Sequence, residues 1–175
     1  ELLNEPKIKL TNGTLRSFYR QAYQEICKVG RPGLRVVFSD ASTPRLMSGA
    51  IRERAGFPVV MDHHWYHFFM PKFFQRKLPL AMYYRFLRLK RRTMERISRA
   101  QPVIIGEWNG IISGEMLSRY PQPEHAAIVD RHIAEQLAAW SELQGWFYWS
   151  YKHEAPGVFD FRSMVEAGRI RFSEQ

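Results

Sequence analysis

Cysteine is all but missing: Cys27 is alone among 175 residues, which excludes a disulfide within the chain and leaves the redox compartment unread. It falls inside an amphipathic pattern, so a buried thiol is expected. Long hydrophobic runs are absent too, and none approaches the ~20 apolar residues of a transmembrane helix, so a soluble or peripheral chain is expected. The opening residues, Glu1-Leu2-Leu3-Asn4-Glu5-Pro6, lack an initiator methionine and the basic and apolar segments of a leader, which places the expected start of the protein upstream. Acidic residues nearly vanish between Lys72 and Arg99, where Glu95 stands against ten Lys and Arg; that excess equals the whole net charge of +9. Gly/Ser linkers, low-complexity segments and internal repeats are not found.

What is present suits one compact unit, since 45% of the residues are hydrophobic. Four short apolar runs recur, Val36-Val37-Phe38, Pro58-Val59-Val60-Met61, Pro102-Val103-Ile104-Ile105 and Trp146-Phe147-Tyr148-Trp149, with Leu2-Leu3 as a truncated fifth. Apolar runs without alternation suit strands buried on both faces, as in parallel sheets. Between them lie helical patterns. Leu15, Phe18, Tyr19, Ala22, Ile26 and Val29 step by threes and fours to a C-cap at Gly30, and Ala126, Val129, Ile133, Leu137 and Trp140 repeat the pattern. A longer helix is expected over 80–100, carrying most of the basic cluster, and a short one over 47–55. The alternation gives right-handed βα units of an α/β fold; by pattern alone, a half-barrel and a doubly wound sheet both remain open.

Each apolar run ends in polar residues on its C-terminal side: Asn4-Glu5, Ser39-Asp40, Asp62-His63-His64, Glu107, and 150–154. In a (β/α)8 barrel that face carries the active site, and ionisable groups beside buried strand ends need partners or a task. Two carboxylates from different strands, Glu5 and Glu107, could flank a sugar ring. Retaining glycoside hydrolysis needs such a pair about 5–5.5 Å apart. Asn4 could bond a sugar hydroxyl or merely cap a turn.

These residues carry a resemblance. Asn4-Glu5-Pro6, Asp62-His63-His64-Trp65-Tyr66, Gly106-Glu107-Trp108, Gly145-Trp146-Phe147-Tyr148-Trp149-Ser150-Tyr151-Lys152 and Phe159-Asp160-Phe161 follow one another as in glycoside hydrolase family 5, and the chain most resembles its yeast-type exo-β-1,3-glucanases. The resemblance implies a TIM (β/α)8-barrel glycosidase of which residues 1–175 supply strands four to eight, the C-terminal part of one catalytic domain. The N-terminal half of the barrel, strands one to three, would be missing.

It further implies a retaining β-glucanase, a β-1,3-glucan exo-hydrolase, with Glu5 as general acid/base and Glu107 as nucleophile. Substrate would be held by Asn4, His64, Tyr66, Phe69 and Trp149, with Trp149 as stacking platform and Phe69, or its neighbour Phe68, clamping the next glucose. Taken as residues alone, His64 reads as a core histidine and Tyr66 and Trp149 as core aromatics. His63 and His67 read as neighbours with structural or solvent roles. Three histidines beside Asp62 would suit zinc, but the retaining mechanism needs neither metal nor cofactor. Only 41 residues separate Glu107 from Trp149, where the yeast enzymes carry a longer, cysteine-containing loop, so substrate preference stays open. An extracellular, periplasmic or cell-wall location follows from the family alone.

For the basic 72–99 segment the leading reading is a solvated outer helix whose aromatics pack on the sheet. An acidic glycan or contact with an anionic membrane is the alternative, and no nucleic-acid motif accompanies the charge. A non-catalytic carbohydrate-binding or interaction module is the rival to the enzyme.

Overall fold

The computed structural model describes residues 1–6, 10–66 and 77–171. Its strands are β1 (Val36–Ser39), β2 (Val59–Trp65), β3 (Val103–Trp108) and β4 (Gly145–Tyr148), and its helices are α1 (Asn12–Val29), α2 (Pro44–Met47), α3 (Leu80–Ser98), α4 (Gly114–Leu117), α5 (His125–Trp140) and α6 (Phe161–Glu166). The sheet runs in the order β1-β2-β3-β4, with β1 parallel to β2 and Val36 opposite Val59. Sequential parallel strands joined by helices make this the α/β pattern of a partial (β/α)8 barrel.

Two expectations are corrected. Leu2-Leu3 forms no strand; one backbone bond, from the Leu2 N–H to the Val37 carbonyl at 2.8 Å, is what remains of the fifth run. The short helix lies at Pro44–Met47 rather than 47–55, because Pro44 at the first helical turn needs no N–H partner and its fixed φ starts a helix. Elsewhere the patterns hold. Thr11 caps α1 by accepting from the Thr14 N–H at 3.1 Å, and Leu15, Tyr19 and Tyr23, four residues apart, form its buried face. Gly30 ends α1 for a reason other than a left-handed turn. Its φ is −75°, but a Cβ there would meet the Ile26 carbonyl oxygen at 2.7 Å, so any side chain collides with the cap bond.

The chain forms two compact units. The first comprises Glu1–His64, Arg92–Ile105 and Leu143–Gly145, the second Trp65–Arg91, Gly106–Glu142 and Trp146–Gln175. In the first, α1 lays Leu15, Tyr19 and Tyr23 with Phe38, Met61, Met94 and Val103 in one buried cluster, each large apolar side chain contributing about 1.5–3 kcal/mol. In the second, Trp108 is fully buried, with the Trp146 and Tyr148 rings edge-on at 5.3 and 4.9 Å. Here α5 buries Val129, His132, Ile133, Gln136 and Trp140, and the Gln136 amide donates to the Asn109 carbonyl at 2.9 Å.

Along α3 the aromatics divide: Tyr83 and Tyr84 are buried and Phe86 is 43% exposed, while Arg85, Arg88, Arg92 and Arg96 all face solvent. Tyr83 packs by accepting from Trp65 Nε1 at 3.2 Å. Among the described residues, no helix is long and apolar enough to cross a membrane.

Candidate active site

In the first unit the site residues stand around the end of β2. Burial runs through β2 as far as His63, past the apolar run into the polar residues, because His63 has a buried partner: its Nδ1 lies 2.6 Å from Asp40 Oδ2, both side chains being at most 2% exposed. Asp40 Oδ1 also accepts the Ser42 N–H at 2.8 Å, and the Asp40 N–H donates to the Asp62 carbonyl at 2.9 Å. His63 therefore fastens the ends of β1 and β2 together, a structural role rather than a solvent one. One residue on, His64 faces the other way in the pleat and bridges two carboxylates, with Nδ1 2.8 Å from Glu5 Oε1 and Nε2 3.2 Å from Asp62 Oδ2.

Glu5 sits in the irregular segment 1–6 at φ 42°, a left-handed conformation uncommon outside glycine and asparagine. Its carboxylate is about half exposed, against 8% for the His64 ring. Asn4 beside it is exposed. Burial, followed by the neighbouring Asp62 carboxylate, pushes the Glu1 carboxyl up to about 7.

The second unit holds the other set. Tyr66, 8% exposed, donates its hydroxyl to Glu107 Oε2 at 2.7 Å, a hydrogen bond that orients the carboxylate. Trp149 follows β4. Its N–H donates to the Trp108 carbonyl at 2.8 Å, its peptide to Ser150 is cis, and its ring is 45% exposed with Phe159 edge-on at 5.9 Å. At 45% exposure the indole is not the core filler that its residue type alone suggested.

The loop behind Trp149 is braced. The Tyr148 hydroxyl donates to the Val158 carbonyl and accepts from the Gly110 N–H at 3.0 Å, and burial pushes its pKa up to about 12. Asp160 caps α6, accepting the Ser163 N–H at 2.9 Å and the His153 N–H at 3.1 Å. Those two bonds hold its carboxyl below the usual carboxylate range.

The first unit thus brings Glu5 and His64 together, with Asn4 next to Glu5 in sequence, and the second brings Tyr66 and Glu107 together. Phe69, Phe68 and His67 lie outside the described residues. Sequence reasoning missed Asp62 as a partner of His64, although its i, i+2 spacing on one strand puts both side chains on one face. It also missed the His63–Asp40 pair, for which no local signal exists. As for a metal, the ring nitrogens of His64 and Nδ1 of His63 are each committed to a carboxylate, an arrangement suited to moving or holding protons.

No protein-family model matches the chain. It is 26% identical, over 98% of its length, to the Aspergillus terreus protein named "Probable glucan 1,3-beta-glucosidase A", covering 48% of that protein. To the glucan 1,3-beta-glucosidase of Candida oleophila it is 27% identical over 97% of its length, covering 47%. The chain therefore spans about half the length of these curated relatives. Among solved structures, the crystal structure of AoRut matches 91% of the chain and 42% of its own, with a TM-score of 0.59 at 16% identity, a likeness of fold.

Proposed function

Because the chain is related over nearly its whole length to glucan 1,3-beta-glucosidases, we propose that it is part of a retaining β-glucan hydrolase acting on β-1,3-linked glucose. In this reading residues 1–175 are the C-terminal part of one catalytic domain. Glu107 attacks the anomeric carbon while the protonated Glu5 gives its proton to the leaving oxygen, forming a glycosyl ester on Glu107. Glu5 then takes a proton from the attacking water as the ester is released with net retention.

The observation that carries the reading is the 2.7 Å bond from the Tyr66 hydroxyl to Glu107. A neutral phenol donates and never competes for the carboxylate's proton, as a nucleophile requires. His64 supplies the complementary setting for Glu5. With the proton on Nε2, donated to Asp62, its Nδ1 is an acceptor and a protonated Glu5 is the natural donor to it. Once Glu5 has passed its proton on, Nδ1 can accept another only if the tautomer is kept, which is the work of Asp62. Trp149 offers its exposed face to the apolar side of a sugar ring, and Asn4 is the candidate partner of a sugar hydroxyl.

The experiment is hydrolysis of a β-1,3-glucan by the protein and its Glu107→Gln and Glu5→Gln variants, with the first-formed anomer read by NMR. Glu107→Gln should lower kcat on the order of 10⁴-fold or more, and Glu5→Gln about 10²–10⁴-fold on an unactivated glucan. The first product should be the β-anomer. Wild-type turnover with an α-anomeric first product, or with Glu5→Gln fully active, sinks the assignment, and binding of glucan without turnover points to the non-catalytic module.

A further inference from the structure

Between α1 and the turns that lead into β2, the first unit forms an open groove of about 360 Å³ lined by Tyr23 and Ile51 and by the exposed Arg20, Arg52, Glu53 and Arg54. None of these residues belongs to the candidate active site. Three guanidiniums and one carboxylate leave two positive charges in excess around one small volume. Like charges gathered in this way repel unless an anion lies among them.

The walls are fixed by bonds that leave the terminal N–H groups of Arg20 and the Arg52 and Arg54 side chains uncommitted. The Tyr23 hydroxyl accepts the Arg54 N–H at 2.8 Å and donates to the Phe57 carbonyl at 2.7 Å, tying the backbone of the 54–57 turn to α1. Glu53 turns Oε2 to the Val59 N–H at 3.0 Å, so part of the one counter-charge is committed to the start of β2. Arg20 donates its Nε–H to the Ala50 carbonyl at 3.0 Å, which holds the plane of the guanidinium and leaves its terminal N–H groups. Among the described residues, neither Arg52 nor Arg54 donates from its guanidinium to a protein acceptor. One turn earlier on α1, Arg16 spends both terminal nitrogens on the Leu46 and Gly49 carbonyls. Arg16 is a structural arginine and the three at the groove are not.

We propose that this groove is a binding site for a small phosphate monoester, with the phosphate among Arg20, Arg52 and Arg54 and the body of the molecule along the groove's floor. Guanidinium forks bind phosphate bidentately. A dianion matches the excess of two charges, and its three terminal oxygens can serve three forks, where a carboxylate has one charge and two oxygens. The volume exceeds what a bare phosphate fills and reaches the range of small-molecule sites. Tyr23 and Ile51 lie buried beneath the groove, so a sugar-sized body would rest on the aliphatic stems of the arginines above them.

Calorimetric titration of the protein at fixed ionic strength, with glucose 6-phosphate, inorganic phosphate, glucuronate and glucose as separate probes, tests the site. Glucose 6-phosphate should bind saturably and more tightly than inorganic phosphate, and glucuronate should bind more weakly than either. Arg52→Ala and Arg54→Ala should each weaken glucose 6-phosphate about tenfold to a hundredfold. The Arg52→Lys, Arg54→Lys double variant keeps the charge and loses the forks, so it should still weaken binding should an alanine variant prove unstable. Added salt should weaken it further. No saturable binding of either phosphate-bearing probe, tighter binding of glucuronate, or affinity unchanged in both the alanine and the lysine variants would overturn the proposal. So would retention of a single-stranded RNA by a protein indifferent to glucose 6-phosphate.

Discussion

Two carboxylates are held in opposite ways in the two units of this chain. Glu107 lies within a strand and accepts from a buried phenol, whereas Glu5 lies on an irregular, left-handed residue, half exposed, with an imidazole as its partner. A phenol below its ordinary pKa of about 10 can only donate to a carboxylate, while an imidazole can donate or accept near neutral pH. The first partner can only donate; the second can change roles. The secondary structure follows the same division, since a strand fixes an atom better than a loop does.

The comparison breaks most visibly where its foundation is removed. Asp40→Ala leaves His63 buried without its carboxylate and should cost about 3–5 kcal/mol of stability, read as a lower urea midpoint. Turnover at temperatures where the variant stays folded should change far less, if His63 only anchors the strand that carries His64.

Tyr66→Phe deletes the donor that reaches Glu107 Oε2. Loss of a hydrogen bond to a charged group, worth about 1.5–3 kcal/mol, predicts about a tenfold to hundredfold fall in kcat/KM on a β-1,3-glucan. An equal loss in a Glu5→Gln background would show that the two settings act separately.

Asp62→Asn is the finer probe. An amide NH2 facing His64 Nε2 moves the ring proton to Nδ1, which then donates to an ionised Glu5 rather than accepting from a protonated one. Turnover of an unactivated glucan, which needs a proton donor, should fall about tenfold, while a substrate with an activated leaving group should be hydrolysed at close to the wild-type rate. An equal fall on both substrates would reduce Asp62 to packing.

The smallest effect concerns stability in alkali. Burial raises Tyr19 in the first unit and Tyr84 and Tyr148 in the second to about 12. A raised folded pKa means that the protein keeps its protons where the unfolded chain, titrating near 10, gives them up. Stability contributed by these phenols is full below pH 10 and is lost as the pH climbs from 10 to 12. Tyrosinate absorbance at 295 nm should therefore lag behind that of the denatured chain and then rise with unfolding; a normal titration near 10 with the fold intact would contradict it.

How much of this was legible in the sequence depended on whether the cause was local. The buried face of α1 and that of α5 follow from three- and four-residue spacing, and the cores of the strands from unbroken apolar runs. Helix α2 escaped because four residues give too short a period to read, and its true signal was Pro44. Strand β2 runs to Trp65, beyond the apolar run at Met61, because Asp62 and His63 are made burial-compatible by partners, and Asp40 lies 23 residues from His63. No window along the chain contains that fact. The carboxylates Glu5 and Glu107 stand out as types that follow apolar runs, but their partners are set by folding alone.

Glu5 at φ 42° also bears on how such a chain could change. An L-residue with a branched acidic tail held there costs on the order of 1–2 kcal/mol, a cost that asparagine or glycine would largely remove. Drift toward greater stability therefore presses on this position toward replacement, and only selection for what its carboxylate does would hold a glutamate there. A homologue that had given up chemistry while keeping the fold would be expected to show the loss first at this backbone-strained residue, and to leave Glu107, comfortable in its strand, unchanged for longer.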